Sequence, residues 1–145
     1  MTGYRPKHFL LQELVPKAQF NALDRHILWG LIDPRILQAA DALRDRYGSM
    51  LCNTWVFGGE THYRGWRPQC SPGARYSQHR FGRALDLIPK HVEVDEIRED
   101  LRRFRKGIDS LDGRNHITRV ENVVGWLHID CSNVWPGDVI YFFNP

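Results

Sequence analysis

The stretch Ser77-Gln78-His79-Arg80-Phe81-Gly82-Arg83-Ala84-Leu85-Asp86 has the pattern S-x-H-x-x-G-x-A-x-D. Gly82 permits a backbone turn that a side chain would obstruct, and the small Ala84 allows close packing where Asp86 enters an apolar strand. A carboxylate in such a strand needs a partner, because an unpaired buried charge is strongly disfavoured. A metal ion bound jointly by His79 and Asp86 would provide one. The alternative is a hydrogen-bonded His79–Asp86 pair under a turn.

A third metal ligand is expected in the segment 125–131, GWLHIDC. A hydrolytic zinc site has three protein ligands and leaves its fourth position to water, so the pair needs one more imidazole or carboxylate. Strand alternation places His128 and Asp130 on the same face as Trp126 and the apolar side chains on the other face. An aromatic, an imidazole and an acid on one face are typical of the floor of a metal cleft.

The composition indicates one globular domain that spans residues 1–145. The chain has 145 residues and is 42% hydrophobic, which is enough apolar material for a core. Its 20 Lys and Arg residues against 17 Asp and Glu residues give a net charge of +3, and these charges are spread along the chain. No stretch approaches the ~20 apolar residues of a membrane helix, and no signal peptide is recognisable. We therefore expect synthesis in the cytoplasm and no membrane partner.

The three cysteines, Cys52, Cys70 and Cys131, are widely separated and lack any C-x-x-C spacing. Neither a disulfide framework nor a cysteine zinc finger is indicated, and a reducing compartment is the simple interpretation.

The hydrophobic spacing predicts helices and strands that intermix without a regular βαβ period. Helices are expected at 34–47 and 94–106, with a short helical turn or docking segment in 7–15. Strands are expected at 50–57, 83–88, 116–121, 126–131 and 139–143. The prediction is an α+β fold, with a small central, mostly antiparallel sheet and flanking helices.

Two further segments are rich in arginine. Arg98, Arg102, Arg103 and Arg105 are expected on the outward face of the second helix, where a solvated surface is favoured over a phosphate contact. The segment 58–78 is rich in Gly, Arg and aromatic residues and is predicted to lack regular structure. Such a loop in a compact domain is usually functional or mobile.

The ten-residue motif, followed about 40 residues later by an aromatic-x-His-x-Asp strand, resembles the zinc D-alanyl-D-alanine carboxypeptidase family. That family includes phage endolysins that cut peptidoglycan peptides, and it shares its fold with lysostaphin-type peptidases and the hedgehog signalling domain. The resemblance extends from about Lys7, where KHFLLQELV is similar to the family's entry segment, to about Trp135. It implies a hedgehog-like fold and one zinc ion bound by His79, Asp86 and His128.

The resemblance also implies an arginine that binds a substrate carboxylate upstream of the motif. Arg64 in the sequence Tyr-Arg-Gly resembles this arginine, although the family's usual Ser-Gly is replaced by Thr61-His62. Arg67 and Arg75 are the alternatives. An arginine suits a terminal carboxylate because it can donate two parallel charge-assisted hydrogen bonds.

The general base departs from the family's pattern. Many members have Glu or Asp three positions before the last ligand, and others have His two before, but Gly125 and Trp126 stand here. Asp130 lies ~7 Å along the strand from His128, and it can act as the base or orient a ligand. Glu121 resembles the hedgehog-type glutamate one residue out of register and is the alternative base. Its odd spacing faces it away from the site unless Gly125 breaks the strand.

These expectations describe a monomeric zinc peptidase that hydrolyses peptidoglycan stem peptides, as a carboxypeptidase or an endolysin-type endopeptidase. Without a signal peptide, a phage-derived enzyme would reach the cell wall through lysis or on a virion. The alternative is a hedgehog-like domain in which zinc stabilises the fold or a binding surface and no peptide is cut. The missing acid at position 125 supports that alternative. Nucleic-acid binding rests only on generic features, the arginine-rich helix and loop, and is not expected.

Overall fold

The computed structural model describes residues 3–133 and 137–145. Trp135, the C-terminal limit of the resemblance, therefore lies outside the described residues.

The longest helix begins and ends where the local sequence predicts. Helix α3 spans Pro34–Tyr47, the Asp33 side chain accepts a hydrogen bond from the Arg35 backbone N–H at 2.9 Å, and Pro34 occupies the first helical position. The helix ends at Gly48, whose φ of 85° favours glycine. The predicted helix 34–47 is confirmed.

Within the described residues the chain forms four α-helices and five strands, so the α+β class is confirmed. The helices are α1 (Lys17–Ala22), α2 (Arg25–Gly30), α3 (Pro34–Tyr47) and α4 (Val94–Arg103). The strands are β1 (Met50–Leu51), β2 (Ala84–Pro89), β3 (Arg119–Glu121), β4 (Leu127–Asp130) and β5 (Tyr141–Phe143). Single 3-10 turns lie at Leu11–Glu13, Trp55–Phe57, Gln78–Phe81 and Gly113–His116.

The strands form one mixed sheet in the order β1-β2-β4-β3-β5. The pairings β1–β2, β2–β4 and β3–β4 are antiparallel, whereas β3 and β5 are parallel. The sheet is thus mostly antiparallel, as predicted, with one parallel pair at its edge.

The two central strands separate an apolar face from a polar one. Leu85 and Leu87 on β2 and Leu127 and Ile129 on β4 are at most 1% exposed and belong to one core cluster with α3. Because side chains alternate along a strand, Asp86 and His128 project from the opposite face. The register pairs Asp86 directly with His128.

The N-terminal segment docks onto the main body, as predicted for 7–15. Leu14 and Val15 are fully buried. The Leu14 carbonyl accepts a hydrogen bond from the Trp66 backbone N–H at 2.8 Å, and the Val15 carbonyl accepts one from the Asn53 amide at 3.1 Å. The segment therefore holds the loop that leads to the motif.

Several predicted bounds are wrong. The strand predicted at 50–57 ends at Leu51, and its second half is the 3-10 turn Trp55–Phe57, where the Trp55 indole N–H donates to the Val15 carbonyl. The helix predicted at 94–106 ends at Arg103, because Phe104 is already extended. Helices α1 and α2 are six residues each, too short to show a hydrophobic period. The strand predicted at 83–88 is shifted by one residue, to Ala84–Pro89, and the strands predicted at 116–121, 126–131 and 139–143 are present but shorter.

Arg98 is buried, contrary to the predicted outward position. It lies three residues before the buried Leu101 and so shares its helix face. Its guanidinium donates hydrogen bonds to the carbonyls of Glu121, Val124 and Trp126. The other three arginines of this segment are exposed, as predicted.

Cys52 and Cys131 are buried, whereas Cys70 is exposed. Among the described residues, no helix combines the length and the apolar character that crossing a membrane requires.

Candidate metal centre

The three predicted ligands meet at one point. The Asp86 Oδ1 atom lies 3.2 Å from Nε2 of His79 and 2.8 Å from Nδ1 of His128. All three ligand atoms lie within 4.8 Å of one another, and all three residues are buried. Atoms that each lie ~2.0–2.2 Å from the same zinc-sized ion are separated from one another by distances of about this size.

A tight turn before β2 brings His79 to this point. The chain reverses at Gly82, whose φ is 67°, and a Cβ atom there would collide with the Leu31 carbonyl oxygen. The Ser77 hydroxyl accepts a hydrogen bond from the His79 backbone N–H. The serine and glycine of the motif therefore shape the turn, while the antiparallel register supplies Asp86 and His128.

Each of the three side chains has one polar atom at the shared point, and the protein makes a hydrogen bond to the other polar atom of each. His79 Nδ1 is 2.8 Å from the Gly65 carbonyl oxygen, and Asp86 Oδ2 accepts a hydrogen bond from Arg67 at 3.1 Å. His128 Nε2 lies 3.2 Å from Asp130 Oδ2. Oriented ligands of this kind are typical of metal sites. The buried His-Asp-His group could therefore hold a metal ion.

The surroundings of His128 favour a positive charge. Burial raises the pKa of Asp86, but hydrogen bonds from His128 and His79 outweigh this and hold the pKa well below its ordinary value. Burial lowers the pKa of His128, whereas hydrogen bonds to Asp130 and Asp86 raise it, to about 9 overall. Either a proton or a metal cation would supply the charge that these carboxylates favour.

The three ligands open onto a cavity of about 500 Å³. Trp126, Tyr76 and Phe143 provide apolar wall, and Arg67, Arg75 and Arg119 provide positive charge. Trp126 and Tyr76 are 40% and 71% exposed, so the cavity is accessible from solvent.

Glu121 faces the site. The chain bends through residues 122–126, so β3 lies beside β4, and Glu121 Oε2 is 3.9 Å from His128 Nδ1. Glu121 also lines the cavity. The sequence placed Glu121 in the site only if the strand is broken near Gly125, and the bend through residues 122–126 provides this break.

Asp130 lies behind His128 and is fully buried. It does not line the cavity, and both of its carboxylate oxygens accept hydrogen bonds from Arg119. Of the two roles that the sequence left open, this position fits ligand orientation and not proton transfer to a substrate.

Arg64 does not line the cavity. Its guanidinium donates to the Cys52 carbonyl at 3.3 Å, and its backbone carbonyl accepts a hydrogen bond from the Asp86 N–H at 2.8 Å. It therefore extends the edge of β2 and supports Asp86. The two alternatives, Arg67 and Arg75, both line the cavity. The arginine predicted to bind the substrate, Arg64, thus lies outside the cavity, whereas its two alternatives lie in the cavity wall.

Arg119 and Phe143 were not singled out from the sequence, although both line the cavity. The alternation Arg119-Val120-Glu121 is the signal that could have placed Arg119 and Glu121 on one polar strand face. No protein-family model matches the chain, and searches of curated proteins and of solved structures give no match either. The site itself is thus the basis for any functional conclusion.

Proposed function

We propose that this protein is a zinc-dependent peptidase of the D-alanyl-D-alanine carboxypeptidase type that hydrolyses peptidoglycan stem peptides. The carrying observation is the convergence of His79 Nε2, Asp86 Oδ1 and His128 Nδ1 beside Glu121 in an open cavity. A set of two histidines and one carboxylate with an open position is typical of catalytic zinc.

Each polar group of the site has a task in this proposal. Zinc bound by the three ligands would supply a Lewis acid that activates water and polarises the scissile carbonyl. Glu121 accepts the proton of the attacking water and returns it to the leaving amine. Gly65 holds His79, and Asp130 holds His128, so the ligands need no rearrangement.

The arginines of the cavity favour a substrate that carries a carboxylate. Arg67 is bonded to Asp86 and Arg119 to Asp130, whereas Arg75 is exposed and forms no ion pair with the described residues. Arg75 is therefore the arginine best placed to pair with a stem-peptide carboxylate, and Arg67 adds to the positive electrostatic potential of the cavity. We assign to Arg75 the role that the sequence alone gave to Arg64.

The position of Glu121 bears on the hedgehog-like alternative. Its support was the missing acid at position 125, but Glu121 offers a carboxylate 3.9 Å from a ligand atom. We therefore favour a catalytic ion over a purely structural one. We also propose that the fold is hedgehog-like, as the family resemblance implies.

The test is digestion of purified peptidoglycan, followed by mass spectrometry of the soluble fragments. The zinc-loaded protein, the same protein with a chelator, the variant His128→Ala and the control His26→Ala are compared. His26 is an exposed histidine of α2, away from the site. We expect new peptide termini only from the zinc-loaded wild type and the His26 control.

Two results would contradict the proposal in different ways. A folded, zinc-loaded protein that releases no fragments would favour the non-catalytic alternative. A folded protein that takes up no zinc would overturn the metal site itself.

A further inference from the structure

Arg119 and Asp130 face each other across β3 and β4. They are Cα partners in the antiparallel ladder. Arg119 Nε lies 3.0 and 3.1 Å from the two carboxylate oxygens, and Nη2 lies 2.8 Å from Oδ2. The Ser132 backbone N–H donates to Oδ1 at 3.2 Å. Both oxygens of the Asp130 carboxylate therefore act as hydrogen-bond acceptors.

In the metal-loaded protein, where a ligating His128 is neutral, this pairing decides which nitrogen of His128 carries the hydrogen. Asp130 Oδ2 is 3.2 Å from His128 Nε2, and an acceptor there requires Nε2 to donate. A neutral imidazole has one N–H, so Nδ1 then presents its lone pair. The Nδ1 atom lies 2.8 Å from Asp86 Oδ1 and 3.9 Å from Glu121 Oε2, on the side of the ring where the proposed metal would bind.

Phe143, on the neighbouring strand β5, contacts both Arg119 and His128. The Arg119 guanidinium lies 4.5 Å from the centroid of the Phe143 ring. The same ring meets the His128 ring edge-on, with centroids 5.7 Å apart and an interplanar angle of 89°. The guanidinium therefore keeps its orientation although its side chain is 25% exposed.

We propose that Arg119 and Asp130 are positioning residues that hold His128 as the Nε2–H tautomer, so that Nδ1 is the metal ligand. This inference deepens the proposed function and rests on the metal site. Loss of a group that orients a ligand typically weakens metal binding by roughly 10- to 100-fold.

The test measures Zn²⁺ alone, in competition with a chromophoric chelator, with circular dichroism as the folding control. The variants are Asp130→Asn and Arg119→Gln. The matched control is Arg114→Gln, because Arg114 forms a similar fork with Asp112 and stacks on Phe104 outside the site. A long-range ¹H–¹⁵N NMR spectrum of the zinc-loaded protein identifies the His128 tautomer, with His128→Ala for assignment.

We expect Nε2 to carry the hydrogen in the zinc-loaded wild type. Asp130→Asn should bind zinc roughly 10- to 100-fold more weakly, since an amide turned toward Nε2 favours the other tautomer. Arg119→Gln should lose roughly tenfold, and Arg114→Gln should bind like wild type. Arg119→Gln keeps the test decisive if Asp130→Asn does not fold.

The outcomes separate the two proposals. If the wild type binds no zinc, both fail. If the wild type binds zinc but Arg119→Gln and a folded Asp130→Asn bind it as tightly, or if Nδ1 carries the hydrogen, only the positioning role is overturned.

Discussion

The Oε2 atom of Glu121 lies 3.9 Å from Nδ1 of His128. Glu121 belongs to β3, whereas His128 belongs to the neighbouring strand β4. The register that pairs Val120 with Ile129 continues to bring these two side chains together on one face. Glu121 thus lies beside the candidate ligand atoms although it belongs to a different strand.

Substitution of Glu121 by Gln should abolish most of the hydrolysis and leave zinc affinity nearly unchanged. An amide keeps the shape but cannot accept a proton, and loss of a general base typically lowers kcat by about 10²- to 10⁴-fold. Peptide release is measured alongside zinc affinity, with Glu60→Gln in the exposed loop as control. Full activity of Glu121→Gln would show that another group takes the proton.

Replacement of Arg98 by Met should destabilise the protein by about 3 kcal/mol. The guanidinium donates to the carbonyls of Glu121, Val124 and Trp126 at 2.5–3.2 Å, and a thioether leaves these part-buried acceptors without a protein donor. Urea denaturation compares it with Arg103→Met, whose side chain is 77% exposed and whose loss should stay within about 0.5 kcal/mol. Equal stabilities of the two variants would show that the hydrogen bonds of Arg98 do not stabilise the fold.

An alanine at position 82 should cost about 3 kcal/mol or more, because backbone strain adds to a collision with the Leu31 carbonyl. Gly58 has a similar φ of 87° but no atom within 4 Å of its would-be Cβ. Gly58→Ala should therefore cost only the strain, about 1–2 kcal/mol. Thermal denaturation of both variants separates the two contributions. A Gly82→Ala variant as stable as Gly58→Ala would rule out the collision.

The cap of α3 should make stability depend on pH in acid. Burial raises the pKa of Asp33, but hydrogen bonds from Arg35 outweigh this and hold the pKa below its ordinary value. A folded-state pKa below the unfolded value of about 3.9 means that the charge stabilises fully above that pH. The contribution is lost as the pH falls through the folded-state pKa.

Asp33→Asn keeps the capping oxygen and removes this titration, whereas Asp33→Ala removes the cap and should cost about 1 kcal/mol at neutral pH. Urea denaturation at several pH values checks the prediction. The difference in stability between wild type and Asp33→Asn should shrink below about pH 4. A difference that is constant down to pH 2 would show that Asp33 does not titrate in this way.

The first two candidate ligands and α3 could be predicted because their signals are local. His79, Gly82 and Asp86 lie within eight residues, so turn and strand geometry relate them directly. The ends of α3 follow from Asp33 and Gly48, whose effects act within one helical turn.

The positions of Glu121 and of the candidate substrate arginines, and the burial of Arg98, depend on contacts between distant segments. Glu121 faces His128 only because β3 pairs with β4, and Arg98 is buried only because the turn 122–126 folds onto α4. The choice among Arg64, Arg67 and Arg75 depends on the path of an irregular loop. No periodicity encodes such a path.

The histidine of the motif, His79, and the two candidate ligands on strands differ in how firmly they are held. Asp86 and His128 belong to the ladder between the central strands, whereas His79 lies on a single 3-10 turn after an irregular segment. Short turns open at a lower free energy than paired central strands. An ion at this site would therefore lose His79 first, and its rate of exchange with solution would follow the opening of this turn while the sheet stays closed.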